Sequence, residues 1–98
     1  MASFMEQAIA ADKSNVDIME MVIQQLQYEI NAVNSSLFTA IHHPSYVTQS
    51  ELRKQGHRLD GAVSLAVRMS GRLQINIPME IRETAATVSK RAKEFKKA

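Results

Sequence analysis

Apolar side chains recur every seven residues through the first half of this chain. Val16, Ile23, Ile30 and Leu37 hold one position of the repeat, and Met19, Leu26, Val33 and Ala40 hold the other. Steps of three and four place all of them on one stripe of a helix; a strand, with its period of two, would scatter them over both faces. A seam of four heptads forces the rod that carries it to hide against other helices. The pattern predicts a helix over residues 14–43, roughly 40 Å long at ~1.5 Å per residue. Ser14 marks its start, since the hydroxyl can accept from the backbone N–H of Asp17, whose charge complements the positive helix end. Pro44 marks its stop by forbidding helical geometry in the residue before it.

A second apolar line, Ile18, Met21, Tyr28 and Ala32, falls on nearly the opposite side of the same helix. Two expectations follow for this first helix: later helices of the same chain cover it, or one of the lines grips another chain. The anchors of such a grip would be Val16, Met19, Ile23, Leu26, Ile30 and Val33. Two lines exceed what one hairpin partner can cover, so a dimer or higher oligomer is expected.

The stretch "VTQSEL" opens a second helix, over residues 48–71. Thr48 and Glu51 have capping-box spacing, and Val47 with Leu52 can staple across it. Leu52, Leu59, Val63, Ala66 and Leu73 gather on one face, while Lys54, Arg58, Arg68 and Arg72 gather on the other. Gly56 and Gly61 would permit close helix approach, and Gly71 would end the helix in a left-handed cap. The two helices make an antiparallel hairpin. Pro78 suits the start of a third, basic helix over 78–97, with Glu80 and Glu83 near its beginning and Lys90, Arg91, Lys93, Lys96 and Lys97 near its end. Ile81, Ala85, Val88, Ala92 and Phe95 form its apolar stripe. The expected fold is an all-α three-helix bundle, one domain over residues 1–98 with a lead-in at 1–13 in which Phe4, Met5, Ala8 and Ile9 have helical spacing.

Composition narrows the function classes. At 45% apolar residues the chain can bury a core. With no cysteine there is no disulfide framework and no thiolate chemistry. Residues 30–50 lack charge but are rich in Asn, Ser, Thr and His, which argues against a membrane span, so a soluble cytoplasmic protein is expected. The net charge of +2 divides unevenly: residues 1–49 carry five acids and one base, and residues 50–98 carry five acids and eleven bases. Such asymmetry favours packing of one half on the other, or docking onto an acidic partner. Arg82, Lys90, Lys93 and Lys97 extend the basic surface begun by Lys54, Arg58, Arg68 and Arg72. His42, His43 and His57, with Asp60 the nearest acid, lack the three or four convergent ligands of a zinc site. No nucleophile elbow, phosphate-binding loop or carboxylate pair is present, so neither enzyme activity nor a cofactor or metal is expected.

One stretch changes rhythm. In "RLQINIPMEIRE" polar and apolar residues alternate from Arg72 to Ile77 before Pro78 intervenes. The segment resembles the start of a ribbon-helix-helix DNA-binding domain of phage and plasmid repressors, over residues 72–89. That resemblance implies a strand with Arg72, Gln74 and Asn76 toward base edges and Leu73, Ile75 and Ile77 in a dimer core. An extended link before a proline-started helix explains the same letters.

The leading functional expectation is a protein–protein interaction module, an adaptor, inhibitor, chaperone-like or assembly subunit. Its partner would be a protein with an acidic or apolar groove, or a second copy. The alternative is a DNA-binding regulator using residues 72–89 and the basic helices. A self-assembling filament subunit is a third class.

Overall fold

A computed structural model describes residues 14–96. Within them are three helices, α1 (Asn15–His42), α2 (Gln49–Leu73) and α3 (Met79–Glu94), and no strand. The lead-in 1–13 and Lys97 lie outside the described residues.

Local chemistry sets most boundaries. The Asp17 N–H donates to Ser14 Oγ at 3.2 Å, starting α1 at the expected cap. The helix closes at His42, one residue before His43, whose N–H donates to Thr39 O at 2.6 Å. Across the turn, the Glu51 N–H donates to Thr48 Oγ1 at 3.0 Å and the Thr48 N–H to Glu51 Oε2 at 3.4 Å, completing the capping box of α2.

The end of α2 differs from expectation. Gly71 stays helical, the helix runs on to Leu73, and Gln74 takes the left-handed position at φ 57°, ψ 38°. A non-glycine residue there costs roughly 1–2 kcal/mol. Ser70 offsets part of that cost: its carbonyl accepts from the Ile75 N–H at 3.2 Å, and its Oγ donates to Ile75 O at 2.6 Å. Turning at Gln74 rather than Gly71 lets Ile75 pack on the core and buries Ile77.

The ribbon-helix-helix expectation therefore fails at its first element. Arg72 sits on α2, Gln74 in the left-handed cap and Asn76 in the link, so no strand presents the three together. The alternation still has a physical meaning: Leu73, Ile75 and Ile77 turn inward while Arg72, Gln74 and Asn76 face water. The link then ends at Pro78, the N-cap of α3, whose carbonyl accepts from the N–H groups of Ile81 and Arg82 at 3.1 and 3.2 Å.

The helices run up, down and up, with α3 packed mainly on α2. The bundle has principal extents of 50 × 30 × 16 Å and a radius of gyration of 15.1 Å, against about 12 Å for a compact domain of this length. The core is one cluster drawn from all three helices, with Met19, Leu26, Leu52 and Leu59 completely enclosed. At Gly56, α2 and α3 approach closely. A Cβ there would lie 2.6 Å from Lys93 Cγ and 3.0 Å from Ser89 O. Gly61, expected to serve the same purpose, faces open space: a Cβ there would meet nothing within 4 Å. No described helix is long and apolar enough to cross a membrane.

Candidate interaction surface

The heptad seam of α1 is used inside the chain. Met19, Leu26, Ile30 and Val33 are buried in the core and Ile23 packs against it. This corrects their assignment as anchors for another protein, because α2 and α3 already cover them. Of the six expected anchors only Val16, at 58% exposure, escapes. The buried stripe also widens to take in Ile18 and Val22, as a helix covered by two neighbours requires. The second apolar line consequently divides: Ile18 is buried and Met21 packs on the core, while Tyr28 and Ala32 are exposed.

The predicted basic residues mostly face solvent. Lys54, Arg58, Arg68, Arg72, Arg82 and Lys90 are all exposed. Arg58 lies 3.7 Å from Glu29, but its side chain is 78% exposed, so the pair adds little to stability. Lys93 differs, because it is half-buried and its ammonium sits 2.7 Å from Asp60 Oδ2. It belongs to an internal crossing rather than to a free surface.

No periodicity or motif points to that crossing. Gly56 and Asp60 stand four residues apart on α2, facing Ser89 and Lys93, also four apart, on α3. The Ser89 hydroxyl, 1% exposed, lies 3.0 Å from Gly56 O and 2.5 Å from Asp60 Oδ1. It has one proton, and the charged carboxylate is the stronger acceptor. Hydrogen bonds from Lys93 and then Ser89 hold the Asp60 carboxyl below its ordinary value; burial opposes this, and the charges of Lys93 and His57 reinforce it. A serine beside a carboxylate has the parts of a nucleophile. Here it is enclosed by two helices and cannot meet a substrate, so the cluster acts as a clamp.

At the hairpin end, His42 packs against Phe38 with ring centroids 4.2 Å apart and the rings tilted by 41°, and His43 stacks on Tyr46 at 5.6 Å. Among the described residues no group of three or more metal-ligating side chains converges.

The outer side of α1 carries a second seam. Gln24, Tyr28, Asn31, Ser35, Phe38 and His42 are all exposed and follow one another at steps of four, three, four, three and four. The stripe lies about 160° around the helix from the buried one, taking ~100° per residue. Tyr28 and Phe38 are 67% and 63% exposed, and Ile41 and Tyr46 extend the apolar area at its C-terminal end. From Met21 to Ser50 the only charged residue is Glu29, and its side chain is turned toward α2 with 14% exposure. In a chain of 22% charged residues, this is an exposed helix face without charge. Depletion of charge around exposed aromatic rings is the composition of an interface centre. Hydrophobic periodicity misses the stripe because four of its six members are polar; the missing charge is the signal that could have found it.

Beside this face, α1 and α3 leave two adjoining open hollows, one lined by Gln27, Asn31, Glu80 and Thr84 and the other by Asn34, Glu83, Thr87 and Arg91. Comparison with protein-family models, curated proteins and solved structures finds no match for the chain.

Proposed function

We propose that this protein is a non-enzymatic interaction module that offers the outer face of α1 to another protein surface. The observation that carries the reading is the charge-free stripe from Gln24 to His42, with Tyr28 and Phe38 standing out of it on a helix whose opposite side is locked into the core. Burying the two rings supplies the apolar gain, and Gln24 and Asn31 can exchange hydrogen bonds around them. The basic outer faces of α2 and α3 would set orientation and association rate toward an acidic partner more than affinity. Its test is a photoreactive residue placed at Ser35 or, as control, at Lys90, with crosslinking in host cells or their lysate. The reading predicts one dominant adduct from Ser35 that Phe38→Glu abolishes. Equal adducts from both positions, or none from Ser35, contradict it.

A second reading rests on a different observation. Lys54, Arg68, Arg72, Arg82 and Lys90 are exposed and make no ion pair among the described residues. Such cations can neutralise phosphates without reading base sequence. On this reading duplex DNA binds weakly and loses affinity steeply with salt. Absence of binding at low salt removes it.

A further inference from the structure

We propose that the outer face of α2 is a separate docking surface, for the phosphate backbone of duplex DNA. The inference rests on the phosphate-binding reading above and gives it a site. α2 carries five cations, Arg53, Lys54, Arg58, Arg68 and Arg72, and all are exposed. They share an arc of about 140° at ~100° per residue. Neither acid of the helix answers them: Glu51 accepts from the Thr48 N–H at the helix start, and Asp60 is held by Ser89 and Lys93. Of the five cations, only Arg58 has an ion partner among the described residues, Glu29 at 3.7 Å.

Two glycines on the same face serve no contact or turn of the fold. A Cβ at Gly61 or at Gly71 would meet nothing within 4 Å, and neither residue takes a positive φ. Each nevertheless costs the helix about 1 kcal/mol relative to alanine. Bare backbone of this kind lets a ligand come close to the helix. The cations stand in two groups, residues 53–58 and 68–72, with Gly61 and Ser64 between them. From Arg58 to Arg68 is ~15 Å along the axis, against a major groove of ~12 Å. Each group therefore reaches the phosphates of one groove wall, and the small residues lie over the opening. The face holds no Asn or Gln to pair with adenine, so the contacts go to phosphates. An acidic protein would call for apolar or aromatic side chains at the centre, and a lipid surface for apolar ones beside the cations. This face offers only Leu65, 42% exposed, at its edge.

The test follows the fluorescence anisotropy of a labelled mixed-sequence DNA duplex with the full chain, from about 50 to 200 mM salt. Gly61→Leu keeps every charge, and Arg68→Gln with Arg72→Gln removes two. Ala86→Leu and the pair Arg82→Gln with Lys90→Gln, at exposed positions of α3, are controls. Wild type should bind at low salt and lose affinity as salt rises. Gly61→Leu should weaken binding about tenfold while its thermal melt stays at or above that of wild type. The Arg68 and Arg72 pair should also reduce the salt slope by about two. The α3 controls should change affinity by less than about threefold. Binding indifferent to either α2 variant overturns the proposal, as does tighter binding to polyglutamate or to phosphatidylserine vesicles. If the α2 variants bind fully and Arg82→Gln with Lys90→Gln does not, the site on α2 is wrong and the phosphate-binding reading stands; with no binding at low salt, both fall.

Discussion

Lys93 reaches across from α3 to place its ammonium 2.7 Å from the Oδ2 of Asp60, while Ser89, one turn earlier, holds the other oxygen of the same carboxylate. The contact sits where Gly56 lets the two helices come close together. It ties α3 to the hairpin at a point distant in sequence.

Acid should loosen this tie. The folded state holds Asp60 below its ordinary value, so the contribution is complete above the unfolded carboxylate pKa of about 3.9 and is lost as pH falls through the lower folded value. The carboxylate side chain is 44% exposed, which keeps the effect modest. We expect Asp60→Asn to lower stability near neutrality by about 0.5–1.5 kcal/mol. Thermal melts between pH 2.5 and 7 should show wild type and variant converging toward the acid end. A constant offset at every pH would contradict the assignment.

Two glycines on one helix should respond in opposite directions. Gly56→Ala gains about 1 kcal/mol of helix propensity but must push apart Ser89 O and the Lys93 side chain, at about 1–3 kcal/mol. Gly61→Ala meets nothing within 4 Å and should stabilise by up to ~1 kcal/mol. Urea midpoints of both variants check this, and equal shifts of one sign would show that the close approach is misplaced.

Gln74 holds a backbone conformation that a side chain disfavours. Replacing it with glycine should raise stability by about 0.5–1 kcal/mol without altering helicity. Loss of stability would mean that the Gln74 side chain makes a contribution larger than the relieved strain.

Position in the heptad does not by itself predict sensitivity. Leu26→Ala, in the same seam as Val16, empties an enclosed site and should cost about 2–5 kcal/mol. Val16→Ala, at the first seam position of α1, should change stability by less than about 0.5 kcal/mol because the residue is 58% exposed. Denaturant titration of both separates burial from periodicity.

What is readable in the letters is what neighbours along the chain decide. Ser14, Pro44 and the Thr48–Glu51 pair each act within one helical turn, so the ends of α1 and the start of α2 fall where expected. The seam from Met19 to Ala40 announces a helix that must be covered, but periodicity cannot say whether the cover comes from the same chain or another. Gly71 has the better local claim to the left-handed cap, but Gln74 takes it, with Ile75 packed on the core and Ile77 buried just beyond it. The Asp60–Ser89 contact spans 29 residues and has no local signature. The outer stripe of α1 is hidden for another reason: a seam built on Gln, Asn and Ser looks like a solvated face until its lack of charge is noticed.

The chain has two tyrosines, Tyr28 on the outer stripe and Tyr46 in the turn, which makes fluorine NMR of 3-fluorotyrosine protein the most direct test of that stripe as a contact surface. The expected Tyr28 resonance shifts or broadens when host lysate is added to wild type and stays fixed in Phe38→Glu. A Tyr28 resonance unmoved by lysate, in a chain that is folded and identical with or without the substitution, would contradict the stripe as a contact surface.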